Sequence, residues 1–275
     1  MKNLFPRPVH PGKDDTRSVG ELITCALGDP EYDRDGWDAV VALHWRGTEE
    51  VLERATMLTR SFCAAERRVG ADILGQLGMP CTFPTHCVSI LLKMLRCESD
   101  ANVTYAILIA LGHLGEPEAI KPASRLCRHP HARVRYGVVH ALTGYDDPTA
   151  IRALIELSKD EDDLVRDWAT FALGQQIDTD SPALREALVE RLSDSDFDAR
   201  GEALIGLARR GDRRVIPALV VELESGRVGT LAVESARMFA DPQFFSALIA
   251  LKEWWDVDVE LLNDAIQACA PKERI

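Results

Sequence analysis

The sequence predicts an all-α chain, an α-solenoid of paired helices, and three observations carry that expectation. A ten-residue phrase recurs: VTYAILIALG from Val103, VRYGVVHALT from Val134, VRDWATFALG from Val165 and ARGEALIGLA from Ala199. Its near-terminal leucines, Leu111, Leu142, Leu173 and Leu207, lie 31, 31 and 34 residues apart. Weaker copies place Leu74 37 residues before Leu111 and Ala236 29 residues after Leu207. Within the phrase, Val165, Ala169, Ala172 and Leu173 are spaced to share one stripe of a 3.6-residue helix, as are Val134, Val138, Ala141 and Leu142. The segments between units are short and polar (GEPEA, DDPT, GDRRV), except TDTDSPA, which accounts for the 34-residue interval. A unit of about thirty residues cannot bury its apolar face alone, so neighbours must stack along one continuous core.

Residues 1–16 carry three prolines and read as an extended lead-in to a single solenoid domain over 17–275. A short helix is expected over 19–27, broken by GDPEYD, and a second over 37–45. The cluster from Val51 to Phe62 opens the next pair, and Val69, Ile73, Leu74 and Leu77 supply its second helix, which Gly78-Met79-Pro80 ends. The regular repeats run from about 86 to 240, with atypical capping pairs at both ends. First helices are predicted over 86–96, 118–127, 149–158, 182–192, 213–224 and 243–252. Second helices are predicted over 101–114, 132–144, 163–176, 197–209, 227–239 and 258–270. Asp100, His131, Asp162 and Asp196 stand three residues before the apolar anchors; the three aspartates are good N-caps. Pro117, Pro148 and Pro182 open first helices, where a missing N–H costs nothing.

Composition narrows function. The formal charge is −12, from 44 acidic against 32 basic residues. Such a field opposes binding along a phosphate backbone; it serves either to keep the chain in solution or to complement a basic protein partner. No stretch of eighteen uncharged apolar residues occurs and the N-terminus does not read as a signal peptide, so no membrane partner and a cytoplasmic location are expected. The seven cysteines show no recurring spacing and read as free thiols, several of them buried.

The sequence offers no catalytic constellation, metal site or cofactor site. HExxH, the P-loop and GxGxxG are absent, and the short CRHPH cluster around His129 and His131 lacks a second Cys/His pair at zinc spacing. The exposed row of the second helices is more informative. Tyr105, Tyr136, Asp167, Gly201 and Thr230 share one offset, and Trp168 and Glu202 fall at the next. Aromatic residues there either fill seams between repeats or anchor a protein partner. Trp168 beside Asp167 also admits a base-stacking role, with Arg133, Arg135, Arg166, Arg200, Arg209, Arg210, Arg213 and Arg214 as local positive charge. Of the adjacent Trp254 and Trp255, one is expected to cover the terminal core and the other to lie near the surface.

The phrase V-R-x-x-A-x-x-A-L-G, followed by a turn, A-I-x-x-L and L-x-D, resembles the HEAT-like repeats found in phycobilisome-lyase-type repeat proteins. The matching stretches are VRDWATFALG with ALREALVERLSD, and ARGEALIGLARRGD with RRVIPALVVEL, and the likeness covers about residues 65 to 240. The resemblance implies a right-handed superhelix and a ladder between units made by an Asp before each second helix and an Arg within it. The residues in those places are Asp160 with Arg166 and Asp194 with Arg200, while Arg135 has His129 for its Asp; Thr104 and Gly229 replace the Arg elsewhere, confining the ladder to the centre. The central and C-terminal stretch is also similar to bacterial HEAT-repeat immunity proteins encoded beside Rhs-type toxins. That likeness implies a non-enzymatic scaffold that neutralises a cognate toxin; the acidic balance suits a basic toxin domain, and the second helices offer Tyr105, Tyr136, Arg166, Asp167, Trp168, Arg200 and Glu202 as its candidate binding residues. Alternatives within the same family are a DNA-binding or DNA-repair protein of the alkylpurine glycosylase type and a phycobilin-lyase-like enzyme.

Overall fold

A computed structural model describes residues 12–28, 34–78 and 80–271; most of the proposed lead-in, the GDPEYD break after Gly28, and Met79 lie outside them. Among the described residues the fold is all-α, with sixteen α-helices arranged as HEAT-like pairs. The chain forms two compact units, residues 1–142 and 143–275.

In the first unit the pairs are α1 (Val19–Gly28) with α2 (Arg34–Arg46), α3 (Glu49–Leu58) with α4 (Ala64–Gly75), α5 (Pro84–Leu95) with α6 (Ala101–Leu114), and α7 (Ile120–Ser124) with α8 (Ala132–Leu142). A single 3₁₀ turn, Pro117–Ala119, leads into α7. The second helices α2, α4, α6 and α8 pack in succession. In the second unit the pairs are α9 (Pro148–Leu157) with α10 (Asp163–Phe171), α11 (Pro182–Arg191) with α12 (Phe197–Arg209), α13 (Val215–Leu223) with α14 (Thr230–Phe239), and α15 (Phe245–Leu251) with α16 (Val259–Cys269). There α10, α12, α14 and α16 form the corresponding stack.

The repeated stripe is the core. Val103, Val134, Val165 and Ala199 are buried, as are Leu111, Leu142, Leu173 and Leu207 and the small residues Ala110, Ala141, Ala172 and Gly206 that precede those leucines. Small side chains let backbones approach: a β-carbon on Gly75 would lie 2.8 Å from the Cα of Ala110 in the next second helix. The caps follow the sequence reading. Asp100 accepts from the amides of Asn102 and Val103, Asp162 from Val165, and Asp196 from Asp198 and Ala199. Proline opens α9 and α11 as expected, and also α5 and the 3₁₀ turn before α15.

Three details differ from the sequence reading. The helix predicted over 118–127 is only α7 with its preceding 3₁₀ turn, because Pro122 lies inside it and can donate no ladder hydrogen bond. The helix predicted over 163–176 is α-helical only to Phe171 and closes in a π turn, Ala172–Gln176. Gly229 caps α14, which starts three residues after the predicted 227. The tryptophans divide as expected: Trp255 is 3% exposed and its Nε1 donates to Val228 O at 2.8 Å, whereas Trp254 is 50% exposed. The cysteines are free thiols, with Cys87 and Cys269 buried.

Candidate functional site

Two arrangements on the second helices concern function: an arginine ladder that fixes the repeats, and the exposed row that the repeats present.

Arginine is held twice over. In the second unit, Arg166 Nη1 donates to the carbonyls of Asp160 (2.8 Å) and Glu161 (3.3 Å), tying its helix to the preceding turn. Its Nε and Nη2 reach forward to both carboxylate oxygens of Asp194, each at 3.1 Å, and Nη2 also donates to Asp163. The rung therefore joins Arg166 to Asp194, 28 residues on, and uses Asp160 through its main chain. That corrects the expected pairing of Asp160 with Arg166 and of Asp194 with Arg200. The planar guanidinium is long enough to grip its own turn with one edge and the next repeat with the other. Arg200 repeats the grip on the carbonyls of Asp194 and Ser195, and its Nε lies 3.4 Å from Glu222. Asp194 is further held by Arg191 and by the amide of Asp196. Burial opposes its ionisation, but these hydrogen bonds, Arg166 foremost, outweigh burial and hold the carboxyl below the usual range.

The first unit contains a rung that the sequence reading missed. Arg67 Nε and Nη2 fork Glu98 at 2.7 and 2.9 Å, while Nη1 takes the carbonyls of Ser61 and Phe62. Arg67 lies within the stretch SFCAAERR, which lacks the V-R start of the phrase; the usable signal was Glu98, standing just before the Asp100 cap. Arg135 in α8 makes the same grip on its own turn, donating to the carbonyls of His129 and Pro130.

The proposed binding residues thus separate by role. Arg166 is buried, with its donors engaged inside the protein, and Arg200 is anchored to its own turn, so both set repeat geometry. In the first unit Tyr105 and Tyr136 are half-buried and stack with ring centroids 6.3 Å apart. Arg133 lies over Tyr105 at 4.5 Å and donates to Asn102. These half-buried tyrosines lie in the seam between α6 and α8.

In the second unit the row is acidic. Trp168 is 40% exposed and meets Phe171 edge-on at 5.6 Å. Asp167 and Glu202 are half-buried beside it on α10 and α12. Burial, then the charges of Asp198 and Asp196, push Asp167 up to about 6. Burial also pushes Glu202 up to about 7; a hydrogen bond from Gln175 on the π turn opposes this, and Asp167, Asp198 and Glu234 reinforce it. Among the described residues no Lys or Arg forms an ion pair with Asp167, Asp198 or Glu202.

No group of three or more His, Cys, Asp or Glu able to hold a metal occurs among the described residues. None of their helices is long and apolar enough to cross a membrane. Among the described residues His113 and His140 meet edge-on with ring centroids 4.9 Å apart; burial lowers both, His140 to about 4.

Comparison with known proteins places this architecture. Protein YibA of Escherichia coli strain K12 is 28% identical over 222 residues, covering 77% of this chain and 79% of YibA. The X-ray structure of YibA superposes with a TM-score of 0.77 at 25% identity, covering 92% of each chain. A crystal structure of importin beta shares the fold at 12% identity, with a TM-score of 0.60 over 91% of this chain and 42% of importin beta. Residues 88–174 match the family model of HEAT repeats, and the chain has the fold of a HEAT-repeat scaffold.

Proposed function

We propose that this chain is a non-enzymatic protein-binding scaffold whose partner is basic, and that its task is to neutralise a cognate toxin domain. One observation carries the reading: an exposed indole, Trp168, stands beside the carboxylates of Asp167 and Glu202, which no cation of the described chain pairs. An aromatic anchor on a row of acidic groups whose ionisation burial opposes suits lysine or arginine side chains of a partner, which would supply apolar stems and the charge that favours the ionised carboxylates. The fold supports the reading because HEAT repeats serve widely as protein-interaction scaffolds and the rungs hold such a row at fixed spacing.

A DNA-repair role draws less support. Of the eight arginines that could supply positive charge, Arg135, Arg166, Arg200, Arg209 and Arg210 are spent on carbonyls or carboxylates of the chain, and Arg214 on Asp212 and Glu186. Arg213 lies 3.5 Å from Asp241, and Arg133 lies over the Tyr105 ring and donates to Asn102. A duplex-binding face would need such charges directed outward.

The test uses the product of the neighbouring gene where that gene encodes a large toxin. Binding by the parent chain is compared with folded Trp168→Ala and Glu202→Lys variants. Trp168→Ala should accelerate dissociation, and Glu202→Lys should slow association and weaken its salt dependence. Unchanged binding by both variants would move the interface away from this face.

A further inference from the structure

The first unit carries a second surface of opposite chemistry. A groove of about 560 Å³ runs between the turn that joins α3 to α4 and the turn that joins α5 to α6, lined chiefly by Thr59, Arg60, Phe62, Ile90, Lys93 and Met94. We propose that this groove binds an acidic peptide segment bearing an apolar anchor.

Phe62 is fully exposed, an unusual place for a large ring. Its turn is held in place: Arg67 Nη1 binds the carbonyls of Ser61 and Phe62 at 3.1 and 3.0 Å, and the Cys63 amide donates to Ser61 Oγ at 3.0 Å. The ring is thereby presented by a fixed main chain, so ordering it on binding loses little entropy. Met57, also exposed, lies one turn before it on α3, and Ile90 on α5 gives the groove a partly apolar wall.

Charge selects the occupant. The one carboxylate lining the groove, Glu98, is consumed by Arg67 and by the amides of Ser99 and Asp100. Arg60 and Lys93 are exposed and form no ion pair among the described residues. Two outward cations beside an apolar wall match a short segment that alternates carboxylates with a large apolar side chain. Two cations are too few for a phosphate backbone, whose binders neutralise many charges. The surface is independent of the Trp168 row, and its failure would leave the proposed toxin interface untouched.

The experiment is selection of random displayed peptides of about twelve residues on the whole chain, in parallel with Arg60→Glu/Lys93→Glu. Peptides enriched on the parent should carry net negative charge and an aromatic or leucine residue. Their affinity, measured by fluorescence anisotropy, should fall at least about tenfold for the double variant and for Phe62→Ala, the latter leaving charge unchanged. Bound peptide should also protect Cys97, which lines the groove, from alkylation. The proposal is overturned by no enrichment above background, by enriched peptides of net positive charge, or by affinities that survive both variants. Complete displacement by inorganic phosphate would equally overturn it, making the groove a site for a simple anion.

Discussion

Gly206 faces Gly174 so closely that a β-carbon added to Gly206 would lie 2.7 Å from the Cα of Gly174. The contact joins α12 to the π turn that ends α10, and it turns a substitution normally favourable in helices into a clash. Gly206→Ala should destabilise the second unit by about 1–3 kcal/mol in urea unfolding, although alanine is the better helix former. Gly20 in α1 has open space around its missing side chain. Gly20→Ala should stabilise by up to about 1 kcal/mol. Equal effects would mean that the seam relaxes at little cost.

The neighbouring stripe makes the same point with a larger group. Ala172 is fully buried where α10 passes into the π turn. Ala172→Leu should lower stability by about 1–3 kcal/mol through overpacking.

Removing Asp194 leaves Arg166 and Arg191 facing a buried void. Asp194→Ala should destabilise by about 3 kcal/mol, whereas Asp180→Ala, which breaks a largely exposed pair with Arg185, should change stability by less than about 1 kcal/mol. Because the carboxyl of Asp194 is held below its unfolded value, its contribution is present above about pH 4 and is lost as pH falls further. Acid titration of the parent and variant by circular dichroism checks both the size and the direction.

Glu202 and His44 should respond to pH in opposite senses. The raised carboxyl of Glu202 means that its contribution is complete below about pH 4.3 and is lost as pH rises through about 7. Glu202→Gln should therefore flatten the stability profile of the second unit between pH 5 and 8, with the protein becoming more stable at the alkaline end. His44, buried with Nε2 2.9 Å from Asp72 O, is lowered to about 4 chiefly by burial. Its contribution is complete above about pH 6.5 and is lost as pH falls through about 4. Hydrogen exchange resolved by unit should show the first unit loosening as pH falls from about 6.5 towards 4, before the acid loss of Asp194 in the second unit sets in, and the second unit loosening as pH rises towards about 7.

Against duplex DNA the chain should show no binding tighter than about 10 μM at physiological salt. Submicromolar binding with a steep salt slope, measured by anisotropy, would favour the repair reading.

Much of this was legible in the sequence because burial and helical period are the same information: the stripe from Val165 to Leu173 had to face a core. The caps were legible for a similar reason, since Asp100, Asp162 and Asp196 act on amides two or three residues away. The rungs were not, because the forward partner of Arg166 lies 28 residues along the chain while a more tempting aspartate, Asp160, stands six residues back. Arg67 was hidden further by a copy that departs from the repeated phrase. In the exposed row the residue types were evident, but their separation into stacked tyrosines and an acidic face around Trp168 depends on how far each helix buries its flank. The π turn has no counterpart in the pattern of Ala172–Gln176; the tight approach of α12 at Gly174 accompanies it.

That turn also bears on how the second unit comes apart. Arg210, beyond the end of α12, donates to the carbonyls of Leu173, Gly174 and Ile177, and Arg209 donates to that of Gln175. The last turn of one repeat is thus completed by hands extended from its successor, which has itself been brought close by the glycine seam. Repeats bound in this way do not peel off singly from the chain end, as independent links would. A break at this joint should travel: once α12 lets go, the carbonyls it served face water, and α10 loses its ending with its neighbour.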